Sequence, residues 1–243
     1  MSPIQFMVIY FAGLVAGFMN VIGGGGSMIT LPVLMWIGLP APIANGTNRI
    51  AILLQNAVGV RTFISSGVKP DRSILPAIFF ASVGSILGSL FVTTIPRETL
   101  DRVIAIVLLL VVFSTLFIPR RKVSHSASLP VTAMIFAAVG FYGGFLQAGV
   151  GFFLIAAITY VFGYDLVKTN ATKIIIVLTY TLFSVSIFAS RGMIELLPGL
   201  SLAIGNMSGA FMAARLSVKK GSAFVKWILV AVVVINAIKY LFF

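Results

Sequence analysis

Hydrophobic residues fall in long blocks along this chain, without the strict alternation of a half-buried strand or the narrow stripe of a surface helix. Ten blocks can be marked, five in each half: about 4–22, 27–39, 43–66, 73–95 and 99–118, then about 130–147, 150–163, 169–190, 193–215 and 223–243. Eight of them come near or exceed the ~20 apolar residues that a helix needs to cross a hydrocarbon core. The second block of each half is shorter. At 1.5 Å per residue it extends ~20 Å, against a core of ~30 Å. Each short block follows a glycine-rich interruption, Gly23–Gly26 or Gln147–Gly151. The two are predicted to be partial helices that either cross incompletely or re-enter as hairpins with the block before.

The interruptions belong to a repeat. Displacing the chain by 125 residues pairs Gly24 with Gly149, Gly26 with Gly151, Gly38 with Gly163, Asn45 with Asn170, Thr47 with Thr172, Gly67 with Gly192 and Gly84 with Gly209. Apolar coincidences carry little weight in such a sequence; matched glycines, asparagines and threonines carry more. The pattern predicts two duplicated halves, residues 1–119 and 130–243, joined by a polar linker at 120–129. Pro40 and Pro42 end the second block, and Asn45 and Asn170 are expected to cap the third block of each half.

Composition then names the solvent. The chain is 60% hydrophobic and 9% charged, where a water-soluble domain carries roughly 25% charged residues. There is too little charge to cover a surface in water, and a bilayer is the implied partner. The net charge of +12 does not mean nucleic acid, because the basic residues gather at block ends, as at Arg120–Lys122 and Arg215–Lys220, and form no basic face. They read as cytoplasmic anchors. That rule puts the linker, Lys69 and Arg72, Asp165–Lys168 and Arg215–Lys220 inside, and Arg191 and Glu195 outside. Equivalent loops of the two halves then face opposite sides, the mark of inverted-topology repeats. No basic stretch precedes the first block, which is expected to be retained and not cleaved as a signal peptide. The chain has no cysteine, which excludes thiolate chemistry, and its lone His125 lies in the polar linker.

Three sets of residues could carry function. The glycine breaks (Gly24, Gly25, Gly26 and Ser27; Gly149 and Gly151) would present backbone amides at the starts of short helices, where an anion can be held without a full positive charge. Close helix packing explains glycines equally simply. The first turns of the third blocks, Asn45-Gly46-Thr47-Asn48-Arg49 and Asn170-Ala171-Thr172-Lys173, each offer an amide, a hydroxyl and a cation. Such cations face a cavity or a partner, or they snorkel to the membrane edge. Asn20, Gln55, Asn56, Gln147, Thr179, Tyr180 and Asn206 lie inside apolar blocks and either contact a polar solute or bond neighbouring helices. Asn20 and Gln147 stand out because they flank the breaks. All five acids, Asp71, Glu98, Asp101, Asp165 and Glu195, fall at block ends. That absence favours an anionic substrate over a cation, and with no HExxH, paired acids or Ser–His set it argues against an enzyme. No cofactor is indicated. A coupling ion, proton or sodium, is not specified by any residue.

The order Ala16-Gly17-Phe18-Met19-Asn20-Val21-Ile22-Gly23-Gly24-Gly25-Gly26-Ser27, then Pro32, then Leu39-Pro40-Ala41-Pro42-Ile43-Ala44-Asn45-Gly46-Thr47, resembles the sulfite exporter TauE/SafE family of membrane transporters. The second-half echo, Gly140 to Phe145 through Gly149, Gly151 and Asn170-Ala171-Thr172, fits as well, so the resemblance spans nearly the whole chain. It implies a bacterial inner-membrane permease with two homologous halves, moving sulfite, sulfoacetate, other sulfonates or related organic acids. The second half departs from the pure glycine run by having Gln147-Ala148-Gly149-Val150-Gly151, which implies two unequal half-sites. The expectation is an all-α polytopic transporter of a small anion. An anion channel using the same residues, or a non-transporting membrane scaffold, stands as the alternative.

Overall fold

The computed structural model describes residues 1–96, 98–100 and 127–242, with side chains described as far as residue 229. Most of the fifth block of the first half, most of the linker, and His125 lie outside the described residues. Every regular element among the described residues is helical: α1 Pro3–Ile22, α2 Ser27–Trp36, α3 Ala41–Ser65, a short 3₁₀ turn at Arg72–Ile74, α4 Leu75–Val92, α5 Leu129–Phe145, α6 Val150–Phe162, α7 Leu166–Ser190 and α8 Leu196–Phe242. Gly221, at φ 72° and ψ −174°, breaks α8, so its two parts correspond to the last two predicted blocks. Among the described residues, four helical runs are long and apolar enough to cross a bilayer: Pro3–Ile22, Arg72–Val92, Leu166–Ser190 and Leu196–Leu229. Large apolar side chains such as Phe79, Met134 and Leu182 lie exposed on the outside, as a lipid-facing surface requires. Small and polar residues line the contacts between helices.

Those contacts fix the direction of each helix. Gly13 of α1 abuts Leu202 and Asn206 of α8, while Gly205 and Gly209 of α8 abut Tyr10 and Leu14 of α1, so the two run parallel. A Cβ at Gly17 would lie 2.1 Å from the Asn206 carbonyl oxygen; only glycine permits that approach. The same close packing joins α4 to α5, where Gly84 and Gly88 meet Ala137 and Phe141. Helix α3 is parallel to α8, with Thr47 accepting from the Glu195 amide (2.9 Å) and Gln55 from Asn206 (3.0 Å). Helix α4 is parallel to α7, with Ser85 donating to the Tyr180 carbonyl (3.4 Å) and Ser89 meeting Ser184 (2.6 Å). The central helices α3 and α7 are antiparallel, since Gly46 meets Phe188 while Gly59 meets Ile174. Because α1 and α3 point the same way, the chain must come back between them, and α2 is the return leg. The same reasoning makes α6 the return leg between α5 and α7.

Each close pair therefore takes one helix from each half, α1 with α8 and α4 with α5. Exchanging α1 for α5, α2 for α6, α3 for α7 and α4 for α8 maps the main packed pairs onto one another, while the lesser contacts of α7 with α8 and α1 with α7 have no counterpart of like extent among the described residues. The matched glycines do matched work: Gly24 and Gly149, Gly38 and Gly163, and Gly67 and Gly192 all have positive φ, a conformation that glycine adopts without a Cβ penalty.

One local expectation is corrected. Asn45 and Asn170 cap no helix. Helix α3 starts four residues earlier, with Pro40 as its N-cap. Helix α7 starts at Leu166, where Asp165 accepts from the Val167 (2.8 Å) and Lys168 (3.2 Å) amides. Proline's fixed φ and a carboxylate acceptor begin these helices sooner than the apolar pattern indicates, which leaves both asparagines inside them.

Candidate functional site

The breaks that interrupt the apolar sequence meet in space. A Cβ at Gly24 would lie 2.2 Å from the Gly151 Cα, and one at Gly151 2.3 Å from the Gly24 Cα, so backbone rests on backbone. Beside this contact is a cavity lined by Asn20, Gly24, Ser27, Ile52, Gln55, Asn56, Gln147, Val150, Gly151, Lys173, Ile174 and Val177. Ile52–Asn56 and Lys173–Val177 sit in the middle stretches of α3 and α7, which places the cavity inside the bundle, away from its rims. About 20 Å³ is free to the centre of a water molecule, where one water needs about 10–15 Å³. The space takes a water or two, and a larger solute can enter only if the walls move.

The lining is rich in donors. The Lys173 ammonium, 1% exposed, donates to the Val21 carbonyl (2.9 Å) and to Asn170 Oδ1 (2.8 Å). It has a third N–H to give. Asn56 Nδ2 is buried with no protein partner. Gln55 Oε1 is already occupied by the amides of Asn20 (3.2 Å) and Asn206 (3.0 Å). No carboxylate among the described residues lines the cavity.

Of the residues singled out from the sequence, Asn20, Gly24, Ser27, Gln55, Asn56, Gln147, Gly151 and Lys173 reach this cavity, and the others do not. Gly26 gives its amide to Asn20 Oδ1 (2.8 Å) and is wedged against the Ala16 carbonyl, so this helix start is satisfied by protein. Gly25 packs on the Phe152 ring. Asn48 ties α2 to α3 by donating to Ser27 (3.2 Å) and accepting from Thr30 (2.7 Å). Asn45 donates to the Phe145 carbonyl (2.9 Å), and Thr47 receives the Glu195 amide. Asn170 accepts from Lys173, Thr172 is buried with an unpaired hydroxyl, and Gly149 supplies the left-handed residue from which α6 starts. Gln147 is left-handed too (φ 66°), the one such residue other than glycine among those described. Its side chain spans Arg49 (3.4 Å) and Thr181 (3.2 Å).

Arg49 departs most from expectation. Neither it nor Lys173 snorkels; both are essentially inaccessible. Arg49 points away from the cavity and closes the last turn of α5. It donates to the carbonyls of Gly143 (3.0 Å), Gly144 (2.6 Å) and Phe145 (3.3 Å) and to Asn45 Oδ1 (3.3 Å), with the Phe188 ring 4.4 Å from the guanidinium carbon. The carbonyls at a helix C-terminus have no partner in their own helix and carry its negative dipole end, which suits a cation. Lys173 does the same for α1 through Val21. The cation of each half thus closes the broken helix of the other. Gln55, Asn56 and Asn206 stand out in the sequence as polar residues in apolar surroundings. Nothing in the sequence distinguishes Ile52, Val150, Ile174 and Val177 from other apolar residues.

A second link between halves lies at the end of the bundle where α3 finishes. Asp71 accepts from Tyr164 (2.6 Å), from Lys168 (3.0 Å) and from the Ser73 amide (2.9 Å). The bonds from Ser73, Tyr164 and Lys168 hold its carboxyl well below the usual range. Partial burial, and then the bond to Asp71, push the Tyr164 phenol up.

The family model described as sulfite exporter TauE/SafE matches residues 9–240. The chain is 26% identical over 237 residues to the probable membrane transporter protein ORF9 of a Sinorhizobium species, covering 96% of this chain and 91% of that protein. It is 27% identical over 247 residues to the probable membrane transporter protein YfcA of Escherichia coli K12, covering 99% and 91%. A probable membrane transporter protein of Haemophilus influenzae is 26% identical over 90% of this chain and 88% of its own length. No solved structure matches.

Proposed function

Because this chain belongs to the sulfite exporter TauE/SafE family of membrane transporters, and is a multi-pass protein of the bacterial inner membrane, we propose that it carries a small anion by alternating access. A sulfur oxyanion such as sulfite or an organosulfonate is the cargo that the family points to. The observation that carries this reading is the cavity at membrane depth, with a buried ammonium and the unpartnered Asn56 amide but no carboxylate among the described residues. Non-helical backbone is tolerated at that depth where it is buried in protein or lines a cavity. The cavity's small size favours a carrier over a channel: substrate is admitted by rearrangement and not along a standing pore.

Two inverted-topology repeats, 1–119 and 130–243 joined by a cytoplasmic linker at 120–129, would supply the moving bodies. Support comes from the antiparallel α3 and α7 and from the main packed pairs, which survive exchange of the halves. Lys69, Arg72, Lys168, Arg215, Lys219 and Lys220 belong to the end of the bundle where α3 finishes, which makes that end cytoplasmic by the positive-inside rule. Substrate would be held by Lys173, Asn56 and Gln147, with Asn20, Ser27, Gly24 and Gly151 shaping the cavity.

Flux of sulfite and of methanesulfonate into proteoliposomes tests the reading. Saturable uptake that is accelerated by the same anion preloaded inside is expected, with Lys173→Met at least about tenfold slower. Uptake that never saturates would make the protein a channel. No anion flux would leave the scaffold reading.

A further inference from the structure

The two cations that close the broken helices differ in how firmly they are held. Arg49 gives its planar, multi-donor guanidinium to three carbonyls and two amide oxygens, lies under Phe188 and does not border the cavity. Lys173 has two acceptors, both neutral, for three donors, and its ammonium borders the cavity. An ammonium bonds an anionic oxygen more strongly than a neutral carbonyl, and lysine's flexible stem lets the charge follow a new partner. The chain just beyond Val21 has room to respond. At Gly23, φ is −118° and a Cβ would find its nearest neighbours at 3.5 Å or more, so this first residue of the break is not wedged in place as Gly24 is.

We propose that Lys173 is a movable pin. An oxyanion entering the cavity draws the ammonium away from the Val21 carbonyl and frees the end of α1 with the break that follows it. Arg49 meanwhile keeps the second break fixed. Lys173 is then a positioning residue that converts anion binding into movement of one break only, and the proposal rests on the anion reading above.

The chain contains no cysteine, so a single introduced thiol reports its own surroundings. Alkylation of Gly23→Cys by iodoacetamide would be followed in proteoliposomes, with and without saturating methanesulfonate, while methanesulfonate binding is measured separately by thermal shift. With Lys173 present, the anion is expected to speed alkylation roughly threefold or more. Lys173→Met is expected to be fast already without anion and to gain nothing from it, and Lys173→Arg to restore the anion response. Ile9→Cys, buried on α1, guards against general unfolding and should stay slow in every variant; fast alkylation there shifts the test to Lys173→Arg alone, whose loss of the anion response would overturn the proposal. If methanesulfonate binds but leaves Gly23→Cys unchanged, or if Lys173→Met is as slow as its parent without anion, the pin is overturned and the anion reading stands. If neither methanesulfonate nor sulfate binds, both fail.

Discussion

The first and second glycine breaks occupy equivalent positions in the two halves, yet they are built to different tolerances. After α1 the chain is four glycines, and the helix end is held by one lysine through Val21 and by Asn20 through Gly26. After α5 the chain is Gln147-Ala148-Gly149, and the helix end is held by an arginine with five acceptors, by Asn45 and by the Gln147 side chain. One break is loosely held and the other firmly held. The difference teaches that a matched glycine pattern is evidence of matched backbone, while the side chains around it decide which copy can move.

Arg49→Met tests the firm side and carries the largest expected effect. It removes five hydrogen bonds and leaves the Gly143 carbonyl without a donor, while Gly144 keeps Ser89 (3.1 Å) and Phe145 keeps Asn45 (2.9 Å); with the orphaned carbonyl costing about 1–3 kcal/mol and four further bonds lost beside it, a loss on the order of 4 kcal/mol is expected in detergent unfolding experiments. Lys173→Met, which removes two hydrogen bonds, to the Val21 carbonyl and to Asn170 Oδ1, should lose less than half as much; equal losses would erase the distinction. Next comes the contact between breaks. Gly24→Ala drives a Cβ into the Gly151 backbone and violates a positive φ, costing about 3 kcal/mol, whereas Gly23→Ala should stay within about 0.5 kcal/mol of the parent. Similar melting temperatures for the two alanine variants would show that the breaks do not touch.

The surface link between halves should matter least. Because the Asp71 carboxyl is depressed in the folded chain, its contribution is present above the unfolded carboxylate value of about 4 and is lost as pH falls below it. With the side chain 48% exposed, the effect is held under about 1 kcal/mol by solvent screening. Asp71→Asn should therefore melt slightly below the parent at pH 7, with a gap that narrows as pH falls below about 4 but has not closed at pH 3.

Much of the fold could be read from the spacing of a few residue types. Gly38 and Gly163, or Gly67 and Gly192, recur because the backbone turns in the same way in both halves, and such a need is visible in sequence. The direction of a cation is not. Arg49 and Lys173 look alike as charges near the start of a long apolar helix, and only the register of α3 against α5 and α7 shows that one closes a helix end away from the cavity. Asn45 misled for the same reason. Its partner is the Phe145 carbonyl, 100 positions away, and local sequence offered capping as the nearer explanation. Half of the cavity wall was legible as polar residues in apolar surroundings. The apolar half, Ile52 and Val177 among it, has no local mark.

The pairing of α1 with α8 also has consequences for biogenesis. Roughly 170 residues separate the end of α1 from the start of α8, and at a synthesis rate of 5–20 residues per second α1 waits about 10–40 s for its partner. Throughout that interval the glycine-lined face of α1 must be shielded by lipid or by the insertion machinery. A half expressed by itself would never bury that face, and the smallest unit that can assemble is the whole chain or both halves made together.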